Sequence, residues 1–184
     1  ESEKKMVSFL SLVYVHLSLL LLCYCSTGSN LIHETCKKAA VSDPKLSYNF
    51  CAASLEADPK SQNATLQELG VISIKLAISN ATHISSYIKN LLKERRFESF
   101  VKNCLQDCLE LYSDAIPTLK GAVCDFKSKD YDKANVEVSS AMDASTTCED
   151  GFAEKKGEVC PFTKENYLFF QLTAIALAFT KICQ

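Results

Sequence analysis

The chain has no tryptophan, and it is short of the residues that punctuate turns, with four prolines and five glycines in 184 residues. A β-sandwich needs closely spaced turn signals, and disordered chains are rich in proline and glycine, so both are disfavoured. Histidine is scarcer still, with three copies. Neither sign of charge dominates, since 20 basic residues stand against 22 acidic ones for a formal net charge of −2. A nucleic-acid partner calls for a basic face, and capture by an anionic membrane calls for a basic cluster; neither partner is expected. What the chain has in quantity is apolar side chains, 47% of the total, which is enough for a core beside an ordinary 23% of charged residues. It also has ten cysteines, a number that suits an oxidising compartment if the chain is exported.

An export signal is there to be read. Lys4 and Lys5 are followed by a stretch from Val7 to Tyr24 that is apolar apart from Ser8, Ser11, His16 and Ser18, and then by small residues at Ser26, Thr27, Gly28 and Ser29. Positive start, apolar centre and small-residue exit are the pattern of a secretory leader. No basic stop-transfer cluster follows, which disfavours a membrane anchor. We place the leader at residues 1–28, with Met6 as a candidate initiator and residues 1–5 as translated upstream sequence, and a single domain at residues 29–184. In an exported chain Asn63-Ala64-Thr65 and Asn80-Ala81-Thr82 are candidate N-glycosylation sites. Asn63 falls in an expected loop, whereas Asn80 falls within an expected helix.

Everything after the leader carries helical periodicity. A short segment from Leu31 to Ala40 precedes Asp43-Pro44, which reads as a cap followed by a first-turn proline, and a second short helix is expected to run to about Leu55. Thr65-Leu66-Gln67-Glu68 is a capping box. Beyond it Gly70, Ile74, Ala77, Ala81, Ile84, Ile88 and Leu91 recur at steps of three and four. A second long helix carries Phe97, Val101, Cys104, Cys108, Leu111, Ala115, Leu119, Ala122 and Phe126 on one stripe, with Pro117 expected to interrupt and kink it. A third, from about Asp130, aligns Ala134, Val138, Ala141, Ser145, Cys148 and Phe152 and ends near Gly157. Thr163 is expected to cap a fourth, with Leu168, Leu172, Ile175, Phe179 and Ile182 inward. No stretch alternates with period two. The fold class that follows is all-α: an up-down-up-down four-helix bundle preceded by a short helical hairpin.

The cysteines fit that arrangement. Cys36 and Cys51 sit one in each short helix, and a bridge between them would contribute roughly 3 kcal/mol. Antiparallel packing of the second and third long helices sets Cys108 beside Cys148, where closing a loop of about 40 residues is worth on the order of 4 kcal/mol. For the other four, two readings stand open. Cys104 with Cys160 and Cys124 with Cys183 each belong to one end of the bundle and could pair, or all four are free thiols because the helices that carry them lie on a diagonal.

No catalytic or metal-binding constellation stands out. His16 lies in the leader, and nothing in the spacing brings His33 and His83 together as a triad or metal site requires. Cys104 and Cys108 share a helical face that could serve zinc, but an oxidised partner for Cys108 removes it as a ligand. No cofactor, metal or enzymatic activity is expected. Carboxylate pairs such as Glu149-Asp150 and Asp130/Asp132 suit helix ends, and Lys93, Arg95 and Arg96 suit a helix C-terminus.

Cys36 and Cys51 in a helical hairpin, Asp107-Cys108-Leu109-Glu110-Leu111-Tyr112, and Thr147-Cys148-Glu149-Asp150-Gly151-Phe152 together resemble the plant invertase and pectin methylesterase inhibitor family. The resemblance implies bridges matching Cys36–Cys51 and Cys108–Cys148, and a secreted or vacuolar inhibitor. It also implies reversible, non-covalent, one-to-one binding over the active-site cleft of an acid invertase or, as the alternative, a pectin methylesterase, by a protein that is monomeric when free. In the invertase-blocking branch a Pro-Lys-Phe turn before the third long helix enters the sugar cleft. Here that stretch reads Asp130-Tyr131-Asp132-Lys133, so the motif is absent and the target stays open. These four residues are the candidate target-binding site, and a solvated interhelical loop is an equal alternative. Two other classes remain. One is a lipid or small-molecule carrier, although the mature chain lacks the adjacent Cys-Cys and Cys-x-Cys pairs of plant lipid-transfer proteins, with Cys23 and Cys25 falling in the leader. The other is a pollen or wall protein, of allergen type, without inhibitory activity.

Overall fold

The computed structural model describes Tyr14, residues 30–94 and residues 96–184. Apart from Tyr14 the expected leader lies outside the described residues, as does Arg95. Helix α1 (residues 30–42) and α2 (Tyr48–Glu56) form the hairpin, a 3-10 helix (Pro59–Asn63) leads out of it, and α3 (Leu66–Leu91), α4 (Ser99–Lys127), α5 (Tyr131–Ala153) and α6 (Thr163–Ile182) make the bundle. Around the ring the neighbours are α3–α4, α4–α5, α5–α6 and α6–α3, which leaves α4 and α6 on a diagonal. Among the described residues there is no strand, and no helix is long and apolar enough to cross a membrane.

The helix starts follow the chemistry of their first residues. Thr65 Oγ accepts the Glu68 N–H at 3.3 Å while Glu68 Oε2 accepts the Thr65 N–H at 2.8 Å, the reciprocal pair of a capping box. Asp130 caps α5 by accepting the Lys133 N–H at 3.2 Å. Two expected starts are corrected. α2 begins at Tyr48 with Ser47 as its cap, and Asp43-Pro44 instead makes a tight turn in which Asp43 Oδ1 accepts the Lys45 N–H. Thr163 is the first residue of α6 rather than its cap; its hydroxyl is drawn to Glu149 Oε2 and the Cys160 carbonyl, both at 3.0 Å. Nor does Pro117 interrupt α4, which runs through it as one helix. Ser113 and Pro117 are both exposed, so the carbonyl that loses its donor lies on the solvent side.

The three-four stripes of α3 and α5 are buried as the spacing predicts. In α4 the inward position goes to Tyr112 rather than Leu111, and in α6 burial spreads around the helix, from Asn166 and Phe169 through residues 171–176 to Phe179 and Thr180. The hairpin is the reason. It packs on the side of α6 that faces away from the bundle, where Gln171 accepts the Ser47 N–H at 2.9 Å and donates to the Lys45 carbonyl at 2.7 Å. A helix covered on both sides loses its polar face. Cys36–Cys51, with Cα atoms 5.7 Å apart, closes the hairpin, and Cys108–Cys148, at 5.1 Å, joins α4 to α5; both spans suit a disulfide. His33 adds a polar clasp, with Nδ1 3.0 Å from the Tyr48 hydroxyl and Nε2 3.1 Å from Glu56 Oε1.

Candidate functional site

The stretch Asp130–Lys133 lies at the corner where α4 hands over to α5. The α4 C-terminus closes with two bonds, Asp130 N–H to the Asp125 carbonyl at 2.9 Å and Lys129 N–H to the Phe126 carbonyl at 3.1 Å. This is a Schellman closure, and Lys129 takes the left-handed position at φ 66° that glycine usually fills. The candidate side chains are each tied to something. Asp130 caps α5, and Tyr131 is half-buried with its ring edge-on to Phe126 at 4.9 Å. Asp132 Oδ1 accepts from Gln184 Nε2 at 2.6 Å, and Lys133 Nζ sits 3.1 Å from Asp125 Oδ1. Lys129, Asp130, Tyr131, Asp132 and Gln184 line a shallow polar depression of about 500 Å³. The corner therefore offers a held surface with charges of both signs.

Its support comes from two acids that the sequence reading passed over. Asp125 Oδ2 and Glu137 Oε2 are buried without a hydrogen-bond partner. Ionised carboxylates are acceptors only, so a direct hydrogen bond between the two needs one of them protonated. Burial, then hydrogen bonding with Asp125 and its negative charge, push the Glu137 carboxyl above the ordinary glutamate range. The Asp125 carboxylate holds Lys133 charged to higher pH than usual. Gly121 makes room for Glu137, since a Cβ there would come within 2.9 Å of Oε1. The one available signal was positional: Glu137 follows Lys133 by four residues and lies between Ala134 and Val138 on the inward stripe of α5.

The remaining candidates fall elsewhere. The pairs Cys104–Cys160 and Cys124–Cys183 are not bridged, and all four residues are thiols. Cys124 on α4 and Cys183 at the end of α6 lie across the diagonal, Cys160 lies in the connection before α6, and the two buried thiols have other company: Cys104 Sγ donates to the Gly151 carbonyl at 3.5 Å, and Cys160 Sγ accepts from Asn166 Nδ2 at 3.4 Å. Burial pushes the Cys160 thiol up to about 12 and raises Cys104 and Cys183 as well, so none of these three is a ready nucleophile. Asn166 anchors a buried network, accepting from the Tyr112 hydroxyl at 2.6 Å and donating to Glu149 Oε1 at 2.5 Å. Asn63 is exposed at the end of the 3-10 helix, whereas Asn80 is half-buried in mid-α3 with its Oδ1 unpartnered. His33 stands in the hairpin and His83 is exposed on α3. Among the described residues no three acidic, His or Cys side chains are placed to hold a metal ion.

Residues 30–179 match the family model described as plant invertase/pectin methylesterase inhibitor. A candidate invertase inhibitor of Platanus acerifolia is 49% identical over 172 residues, covering 94% of this chain and 96% of that protein. Pectinesterase inhibitor 12 of Arabidopsis thaliana is 40% identical over 158 residues, 85% of this chain and 90% of that one. In fold, the chain is similar to the crystal structure of a mutant pectin methylesterase inhibitor from Arabidopsis, with a TM-score of 0.66 at 22% identity over 79% of this chain and 96% of the other. A disulfide-stapled bundle with tied-down surface residues suits a protein that acts by binding another, and the chain belongs to the plant invertase/pectin methylesterase inhibitor family, whose members are enzyme inhibitors rather than enzymes.

Proposed function

We propose that this protein is exported and inhibits a plant acid invertase by reversible, non-covalent, one-to-one binding over the enzyme's active-site cleft. The observation that carries the choice of target is the likeness, at 49% identity over nearly all of both chains, to a plane-tree candidate invertase inhibitor. The alternative target is a pectin methylesterase, favoured by the Arabidopsis pectinesterase inhibitor at 40% identity. Residues 1–28 are removed on export, the mature protein is monomeric when free and resides in the cell wall or vacuole, and Asn63, being exposed, is the better glycan acceptor of the two sequons.

The contact surface we assign is the α4–α5 corner. It supplies exposed Asp130, Asp132 and Lys133 and the half-buried Tyr131, held by the Phe126 ring and the Asp125 carboxylate. A surface whose rotamers are already fixed loses little entropy on docking. Purified protein assayed against acid invertase and pectin methylesterase at mildly acidic pH should inhibit the first; inhibition of the second alone would transfer the assignment, and inhibition of neither at micromolar concentration would end it. Replacing Tyr131 and Lys133 with Ala should weaken inhibition by at least about tenfold, as loss of a central contact does. Asp132→Ala touches only exposed groups and reports on the same surface without disturbing Phe126. Full potency in both variants would move the contact elsewhere.

A further inference from the structure

We propose a second binding site, for a chain of uronic acid residues such as de-esterified pectin, in the cationic groove between the 3-10 helix, the first turns of α3 and the end of α4. Lys60, Lys75 and Lys127 line this groove, whose volume is about 320 Å³, within the size range of small-ligand pockets. All three lysines are exposed, and none makes an ion pair among the described residues, whereas Lys133 and Lys155 elsewhere do. The single carboxylate in the lining, Glu68, is turned to Thr65, whose N–H and hydroxyl donate to Oε2 at 2.8 and 2.9 Å. In a chain of net charge −2, three cations against that one ionised carboxylate leave the groove a local positive excess that an anion can answer.

The groove also has a direction and a floor. Gln67, Val71 and Lys75 follow one another at four-residue steps, so Lys75 stands about 12 Å along the α3 axis from Gln67. Gln67 Nε2 lies within 3.5 Å of the Lys127 carbonyl, which puts the α4 terminus at the other end. Lys75 and Lys127 thus mark the two ends of a line along the groove, with Val71 and Ile72 offering apolar surface and Gln67 an amide. A ligand matched to that line is extended, carries carboxylates at intervals, and presents both C–H faces and hydroxyls. An oligouronide has each of these features. The proposal does not depend on which enzyme the α4–α5 corner inhibits.

The test is titration calorimetry of the mature protein with oligogalacturonate, its fully methyl-esterified counterpart and polyglutamate, in low and in moderate salt. The expected result is binding of oligogalacturonate that weakens with salt, with no detectable binding of the methyl ester and weaker binding of polyglutamate. The triple variant Lys60→Gln, Lys75→Gln, Lys127→Gln should lose affinity by about tenfold, since it removes every cation of the groove. A second triple variant, Lys37→Gln, Lys38→Gln, Lys181→Gln, changes exposed lysines outside the groove and lowers the net charge equally, so it should keep that affinity. Asn63→Gln removes the sequon at the groove's edge and should bind at least as well as the glycosylated protein. No binding of oligogalacturonate by the wild type or the Asn63→Gln variant, equal binding of polyglutamate, or equal loss in both triple variants would overturn the proposal.

Discussion

Asp125 and Glu137 each bury one carboxylate oxygen with no donor to meet it, and this sets a pH dependence on the molecule. Because the folded protein holds the Glu137 proton above the ordinary glutamate value of 4.5, the native state binds more protons than the unfolded chain in the interval between the two values. Stability is therefore fullest below the ordinary value and falls as pH rises through the raised one. Glu137→Gln keeps the shape and removes the ionisation. Thermal unfolding should find this variant melting above the wild type at pH 7 and close to it at pH 4; identical melting at pH 7 would show that the pair is already satisfied. Glycines give a second contrast at this scale. A Cβ on Gly70 would overlap Cζ and Cε1 of Phe126, whereas one on Gly151 meets nothing within 4 Å. Gly70→Ala should lose about 1–3 kcal/mol by overpacking, with Phe126 pressed toward Tyr131, and Gly151→Ala should gain about 0.5–1 kcal/mol of helix propensity, both read from urea unfolding. Little of this was legible in the sequence. Gly70 stood on the α3 stripe, but that it faces an aromatic ring is a matter of which helix lies opposite.

At the scale of elements, the bridges make the strongest prediction. Cys108–Cys148 spans 40 residues and Cys36–Cys51 spans 15, so replacing each pair by alanine should remove about 4 and about 3 kcal/mol respectively. Denaturant midpoints at equal slope would check the order; a larger loss from the hairpin bridge would mean that the α1–α2 cover on α6 contributes more than loop closure alone. Helix existence and the Thr65 and Asp130 caps could be read from residue types because the side chains involved act within one turn. Asp43-Pro44 and Thr163 misled for a related reason. Each carries a cap's chemistry, but Asp43 spends it on a tight turn and Thr163 on Glu149, a partner 14 residues away. The spacing predicts a one-sided α6, yet it is buried nearly all round, since periodicity within a helix says nothing of a second layer laid over its far side.

For the molecule as a whole, the four-helix ring and the hairpin were foreseeable because amphipathic spacing, short connections and a pair of facing cysteines constrain topology strongly. The candidate corner was foreseeable only as an address. The sequence placed Asp130 to Lys133 between two long helices, while the Schellman closure at Lys129, the ring of Phe126 under Tyr131 and the Asp125 carboxylate beside Lys133 needed the packed structure. The cationic groove belongs wholly to that second class, as Lys60, Lys75 and Lys127 come from three different elements. By itself the sequence determined what depends on neighbours three, four or a turn apart: where helices run, which face is apolar, and which cysteines can meet across an antiparallel pair. Only the tertiary structure decided what depends on distant groups sharing one environment. The unbridged state of Cys104 and Cys160, the second covered face of α6 and the proton held near Glu137 all arise that way, because burial and long-range electrostatic partners are properties of assembled helices rather than of any segment.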